Sequence, residues 1–322
     1  MSSARQWRLA AVALGLATAT ATAAAQPPPR QPGTQWTDEQ LLKAVAPARA
    51  GRKLTPKVWP NGARVAVCIS FDVDNESFLL AAGETSPTTL SASDFGAQEG
   101  LPRILALLDK YQIATTFFIP AVSALLHPEM IPAIQKSGRH EIGVHGWIHE
   151  SPPATGSAEE EDRLLNKAID YLTKATGKRP VGYRAPGWSF SQNTLGLVRK
   201  AGFFYDSSLQ SEDEPYEVMS NGEDTGLVEL GIDWTLTETP YLGRKGTMPS
   251  PEKLFKLYRD EFDGAYAQGT TFILALHPDM TGHRAPMHHL EELVKYIRSK
   301  PGAWFATLEQ MARYVKAADA KR

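Results

Sequence analysis

Two aspartates, Asp72 and Asp74, close the uncharged run 65–71 and stand two residues apart. Carboxylates at the end of an apolar strand are costly unless they are paired or bind a cation. Two histidines, His145 and His149, follow the run 141–144 with a spacing of four. That spacing puts both imidazoles on one side of a turn or helix, where they can share a cation. Together with Asp74 they make two imidazoles and one carboxylate, a donor set that leaves coordination positions open for water and substrate. Arg184, Asp206 and His277 follow three further short apolar runs. This constellation predicts a metal-dependent hydrolase; the bland alternative is a pair of hydrogen-bonded histidines under a loop and solvated carboxylates.

Short runs that read as strands lie at 65–71, 115–119, 141–144, 181–183, 203–205, 228–234, 271–276 and 304–306, most of them rich in Val, Ile, Phe or Tyr. Amphipathic stretches lie between them. Ser157 with Glu160, and Thr307 with Gln310, have capping-box spacing, and Ser250-Pro251 suits a helix start. Gly177 and Gly269 suit helix ends. Strands alternating with helices imply parallel pairing and right-handed crossovers. An α/β fold is expected, with a distorted barrel of about seven parallel strands first and an open doubly wound sheet second. In a barrel the C-terminal strand ends converge on one face, which brings Asp72, Asp74, His145, His149, Arg184, Asp206 and His277 to one region. No G-x-G-x-x-G or P-loop pattern follows a strand, which argues against nucleotide binding.

Arg5 and Arg8 precede an uncharged run, 9–25, that ends in three alanines before Gln26. This pattern predicts a signal peptide over 1–25 and an exported protein, periplasmic or secreted, of bacterial type. A Pro-rich, polar linker is expected over 26–56 and one catalytic domain over 57–322. No second apolar stretch is long enough for a transmembrane anchor. The net charge of -2 and the lack of a basic run exclude nucleic acid as the expected partner. A homo-oligomer is compatible with the sequence. Cys68, the single cysteine, lies within an apolar run and reads as a buried, inert thiol. His140 reads as a solvated cap, His127 as a turn residue, and His283, His288 and His289 as solvated rim residues.

Five ordered motifs resemble one family: FDVD at 71–74, HGWIH at 145–149, RAPGWSF at 184–190, DSSL at 206–209 and LALHPD at 274–279. They resemble the polysaccharide deacetylases with a NodB-homology domain (carbohydrate esterase family four), over about 59–315. The resemblance implies a distorted (β/α) barrel and removal of acetyl groups from N-acetylated sugars with a divalent metal, commonly zinc. Carried over by position, Asp72 matches the catalytic base, Asp74 the metal-binding aspartate, and His145 and His149 the two histidine ligands. Arg184 matches the arginine that tunes the base, His277 the general acid, and Asp206 the carboxylate associated with that histidine. Pro186 and Trp188, in the Arg184 segment, are candidate substrate contacts, with Trp188 as a sugar-stacking ring.

The chain departs from the commonest motif, in which the aspartates are adjacent and followed by glycine. Here Val73 separates them and Asn75 replaces the glycine. FDVD looks like the branch of bacterial peptidoglycan deacetylases related to metal-independent allantoinases. Thr237-Glu238 precedes Thr239-Pro240-Tyr241 where that branch often has paired aspartates. The expected substrate is a glycan such as peptidoglycan or a chitin-like polymer. The alternatives are a small cyclic amide or ureide, as in allantoinases, and an inactive glycan-binding module.

Overall fold

The computed structural model describes residues 32–320, except 244–246 and 248–249. The expected signal segment 1–25 and the first part of the expected linker lie outside the described residues. The chain divides into a short unit ending at Leu42 and a large unit from Lys43 onward. Within the expected linker the described residues, 32–56, include regular elements. They hold a helix, Asp38–Val45, and a strand, Arg49–Lys53. The strand is polar and half exposed, as suits an edge strand whose order comes from backbone pairing rather than burial.

Ten strands run in chain order: β1 (Arg49–Lys53), β2 (Val65–Asp72), β3 (Thr116–Ile119), β4 (Glu141–Val144), β5 (Gly182–Tyr183), β6 (Tyr205–Asp206), β7 (Tyr216–Ser220), β8 (Glu223–Glu229), β9 (Thr271–Leu276) and β10 (Ala303–Phe305). From β9 the parallel ladder passes through β2, β3, β4, β5 and β6 to β8. β10 pairs in parallel with the first half of β2. Seven strands therefore form the main parallel series, and no ladder joins β8 to β9 among the described residues. β7 and β1 extend the β8 edge antiparallel.

Alternation along β2 separates two layers. Val65, Val67, Ile69 and Phe71 join a core that includes Leu101, Ile104, Leu165 and Tyr258 from the helices. Ala66 and Cys68 join a second cluster with Phe118, Tyr205, Val228, Ile273 and Ala275 from other strands. The helix Leu308–Asp319 adds Leu308, Met311, Ala312 and Val315 to that second cluster. Period-two geometry puts Ser70 and Asp72 on the side of Cys68. Val73 is fully buried in the helix-facing core. The valine that splits the usual aspartate pair therefore serves packing, while its neighbours serve the strand end.

Several elements differ from the sequence-based expectation. Of the strand expected at 228–234 only 228–229 is strand, the end of β8; β8 begins earlier and pairs with β7 as a hairpin, and residues Trp234–Leu236 form a 3₁₀ turn capped by Asp233. Asn221 and Gly222 at the hairpin tip have φ of 51° and 86°, the two positive values that a type I′ turn needs. Asn-Gly was the available signal; the flanking Glu and Ser residues hid the strands. The Thr307–Gln310 capping box forms in both directions, whereas Ser157 and Ser250 cap only through their side chains. Cys68 is buried and desolvation pushes its thiol up to about 11, consistent with an inert side chain. His140 is not a solvated cap: it is half-buried, edge-on to Phe117, and burial pushes it down to about 4.

Candidate active site

The strand ends deliver the expected side chains to one region. Arg184 follows β5 and is fully buried. Its Nη1 donates to Asp72 Oδ1 at 2.6 Å and to Ser70 Oγ at 3.0 Å. Its Nε donates to the Ser207 carbonyl at 3.0 Å and its Nη2 to Ser207 Oγ at 2.9 Å. The guanidinium also lies 4.2 Å from the Phe118 ring centroid. Four of the five guanidinium hydrogens are thus placed, and the charge is aimed at Asp72. Burial raises the Asp72 carboxyl, but Arg184, with His145 and His277, outweighs it and holds Asp72 below its ordinary value. Asp72 is therefore an ionised carboxylate without solvent. Arg184→Met keeps volume but strands that charge, so the fold should lose about 3–5 kcal/mol, as when one partner of a buried pair is removed. Urea unfolding measures it; a loss below about 1 kcal/mol would show that Asp72 does not depend on the guanidinium.

Asp74, His145 and His149 converge, with one ligand atom from each lying within 4.8 Å of the others. Asp74 Oδ1 stands 3.6 Å from His145 Nε2, and Asp74 Oδ2 stands 3.4 Å from His149 Nε2. His145 Nδ1 donates to the Arg184 carbonyl at 2.7 Å, which leaves the Nε2 lone pair facing the aspartates. Burial pushes His145 below its ordinary value and His149 down to about 4, so both rings are neutral, as ligands must be. Asp72 Oδ2 and Asp74 Oδ1 are buried without a hydrogen-bond partner. Orphaned acceptors beside two neutral imidazoles fit a cation.

The backbone here is bent rather than helical. Residues 145–149 form a turn in which Gly146 and His149 have φ of 75° and 62°. A Cβ at position 146 would meet Pro186 Cγ at 2.8 Å, so the first requires glycine. The Glu150 carboxylate accepts the Trp147 and Ile148 amides and holds the turn. His149 tolerates a conformation that costs about 1–3 kcal/mol for a side chain of its size, as residues at functional sites often do. Asn75 has φ of 47°, which explains why asparagine can replace glycine after the aspartates.

His277, after β9, has Nε2 3.7 Å from Asp74 Oδ2. The carboxylate associated with it is Glu238, not Asp206. Glu238 Oε1 accepts the His277 amide at 2.6 Å, and Oε2 lies 3.2 Å from Nδ1. Asp206 instead sits beside Ser208 and Glu229. Glu238 was visible in the sequence only as a departure from paired aspartates, because its partner lies 39 residues away. Burial lowers His277, but Glu238, Asp74 and Asp72 outweigh it and push the ring up to about 10. The resulting stabilisation is complete below an ordinary histidine value of 6.5 and is lost as pH rises through about 10. In metal-free protein, Glu238→Gln should therefore cost most stability below neutrality and little near pH 10, read by urea unfolding across pH.

Trp188 is nine-tenths buried and packs on Trp234, with centroids 4.3 Å apart. Trp234 carries the exposed ring, at 45%. Pro186 is buried beside Gly146. His127, expected in a turn, is buried and hydrogen-bonded to Glu76 at 2.8 Å, with Asp94 at 3.9 Å. Glu76 raises its pKa, which is the geometry of an ion pair. His283 and His288 are exposed, and His283 stacks on Phe95.

The polysaccharide deacetylase family matches residues 84–205, which include His145, His149 and Arg184. A peptidoglycan deacetylase of Helicobacter pylori is 31% identical over 280 residues, covering 77% of this chain and 95% of that protein. The chain belongs to the polysaccharide deacetylase family. The family hydrolyses amide bonds in polysaccharides and is generally metal-dependent. A solved structure described as a candidate polysaccharide deacetylase from Mycobacterium smegmatis superposes with a TM-score of 0.76 at 33% identity, covering 84% of this chain and 96% of that one. An allantoinase structure gives 0.71 at 26% identity, covering 80% and 92%. These neighbours are NodB-type barrels, and the parallel series described above follows that fold, without a closing ladder among the described residues.

Proposed function

We propose that this chain removes N-acetyl groups from an amino-sugar polymer, peptidoglycan or a chitin-like glycan, with a divalent metal held by Asp74, His145 and His149. The observation that carries this reading is the cluster of those three ligand atoms within 4.8 Å, flanked by Asp72 and His277. Zinc is the first choice, since two imidazoles and a carboxylate suit it. When bound, the metal lowers the pKa of a coordinated water and polarises the scissile carbonyl. Asp72, ionised against Arg184, takes the proton of the attacking water. His277 donates the Nδ1 hydrogen to Glu238 and carries a second proton on Nε2, which it delivers to the departing amine. Its raised pKa keeps it protonated near neutrality. The paired rings of Trp188 and Trp234 support stacking against a sugar face.

Export through the 1–25 segment would bring the enzyme to such a polymer, and no helix among the described residues is long and apolar enough to cross a membrane. The likeness to an allantoinase favours one second reading, hydrolysis of a small cyclic amide or ureide. Metal analysis with acetate release from peptidoglycan and chitin oligomers separates the readings. Acetate release that needs bound metal supports the deacetylase. Metal-free turnover of a ureide supports the second reading, and glycan binding without turnover would mean an inactive module.

A further inference from the structure

Asp206 on β6 and Glu229 on β8 are directly opposed in the parallel ladder, and both are fully buried. Both carboxylates accept the same Ser208 amide, at 2.9 Å each, so the two acids lie side by side around one donor. Two buried acids this close repel unless one of them carries a hydrogen. Glu229 Oε2 has no N–H or O–H donor facing it, so it is the oxygen that would carry that hydrogen. The groups around the pair are Arg184, Tyr183, Tyr216 and Ser208. Arg184 is the cation near the pair, but its donors go to Ser70, Asp72 and Ser207, and no Arg or Lys forms a salt bridge with either acid among the described residues.

The remaining oxygens of the pair hold the turn after β6. The Ser208 amide donates to Asp206 Oδ1 and to Glu229 Oε1, at 2.9 Å each. The Leu209 amide donates to Glu229 Oε1 at 3.0 Å, and the Ser208 hydroxyl donates to Asp206 Oδ2 at 3.1 Å. The Ser208 oxygen in turn accepts the Ala185 amide at 2.8 Å, next to Arg184. Ser207, in the same turn, presents the carbonyl and hydroxyl that grip Arg184.

We propose that Asp206 and Glu229 share one proton as a singly charged pair, and that Glu229 is thereby a positioning residue that fixes the 207–209 turn clamping Arg184 onto Asp72. The positioning half rests on the deacetylase reading above; the proton-sharing half does not. Doubly ionised, the pair would repel itself and release the turn, so the clamp should loosen as pH rises and the shared proton leaves.

Glu229→Gln replaces the acid hydrogen by an amide N–H and keeps the acceptor for Ser208 and Leu209; Glu229→Ala removes both. The infrared difference, wild type minus Glu229→Gln, should contain a protonated-carboxyl C=O band at neutral pH. Its absence overturns proton sharing. The Arg184 Nε–H resonance in labelled protein should survive in Glu229→Gln and move toward that of a solvent-exposed arginine in Glu229→Ala. An unmoved resonance overturns positioning. Glu229→Ala should lower kcat at least tenfold with little change in KM, since a small misplacement at a reacting centre costs up to about 10²-fold. Glu229→Gln should restore most of that kcat and lose the part of the alkaline limb that belongs to the pair; an alkaline limb identical to wild type counts against the proposal. If Glu229→Ala does not fold, the infrared band and the Glu229→Gln pH profile decide. If wild type releases no acetate from any glycan, the deacetylase reading fails, while the infrared and arginine signals still decide the pair.

Discussion

Asp72→Asn lowers kcat on an N-acetylated glycan by about 10²–10⁴-fold, the range that a positioned general base supplies. The expectation follows from how Asp72 is held. It is 1% exposed, ionised by the Arg184 contact at 2.6 Å, and its Oδ2 is free of hydrogen bonds. Asparagine keeps the shape and still accepts from Arg184, but it cannot take a proton. Because Asp74, His145 and His149 are untouched, bound metal should remain at wild-type stoichiometry, measured by elemental analysis of the same preparation. Turnover within a few-fold of wild type would remove Asp72 from the base role. Loss of metal together with activity would instead make Asp72 a ligand, which the 3.8 Å approach of its Oδ2 to His145 Nε2 makes a meaningful comparison.

The opposite pattern is expected for His149→Asn. Asparagine accepts the left-handed backbone that His149 adopts, so the turn should survive. What disappears is one of the three proposed metal donors. Affinity should then fall by more than the roughly 10–100-fold that follows loss of a mere outer-shell partner. Acetate release should drop to background at limiting metal. A substrate-free readout is available: at a thousandfold excess over Kd, ligand binding adds about 4 kcal/mol to unfolding stability. Zinc should thus raise the melting temperature of wild type and hardly that of His149→Asn. Equal stabilisation of the two proteins would mean that the metal binds elsewhere. The response should also fade under acid conditions, because the imidazoles and Asp74 must be unprotonated to bind.

The two variants divide the site along its electrostatics. Burial acts on Asp72 and Asp74 alike, yet Asp72 is held below the usual carboxylate range and Asp74 above it. The difference is Arg184, which touches Asp72 alone of the two. Asp74 lies among His145, His149 and His277, of which His277 alone is held protonated, and no Arg or Lys touches it among the described residues. A metal held there would supply positive charge, which would distinguish the proposed ligand from the proposed base before any substrate arrives.

Much of this was legible in the chain itself. The apolar runs ending in Asp72, His145, Arg184 and His277 marked strands whose ends converge, because strand periodicity and crossover handedness are local rules. The H-G-W-I-H spacing and the aspartates pointed to the three groups that the fold brings within 4.8 Å, the proposed donor set, since ligand chemistry depends on residue type before it depends on position. Other features needed the fold. β1 is built from polar residues whose order comes from pairing, and in the β7–β8 hairpin the buried Tyr216, Val218, Leu227 and Val228 are interleaved with Glu, Asp, Ser and Thr, so no continuous apolar run announces these strands. The 26–56 stretch looked like linker for the same reason. Asp206 was matched to His277 by motif order, but register placed it opposite Glu229 and gave the histidine to Glu238. Side chains brought together across 39 residues cannot be paired from spacing. Residue types and strand patterning alone set which side chains could do chemistry and on which strand ends they stand. Tertiary structure decided which carboxylate meets which cation or imidazole, because that depends on through-space contact in a site where water no longer screens the charges.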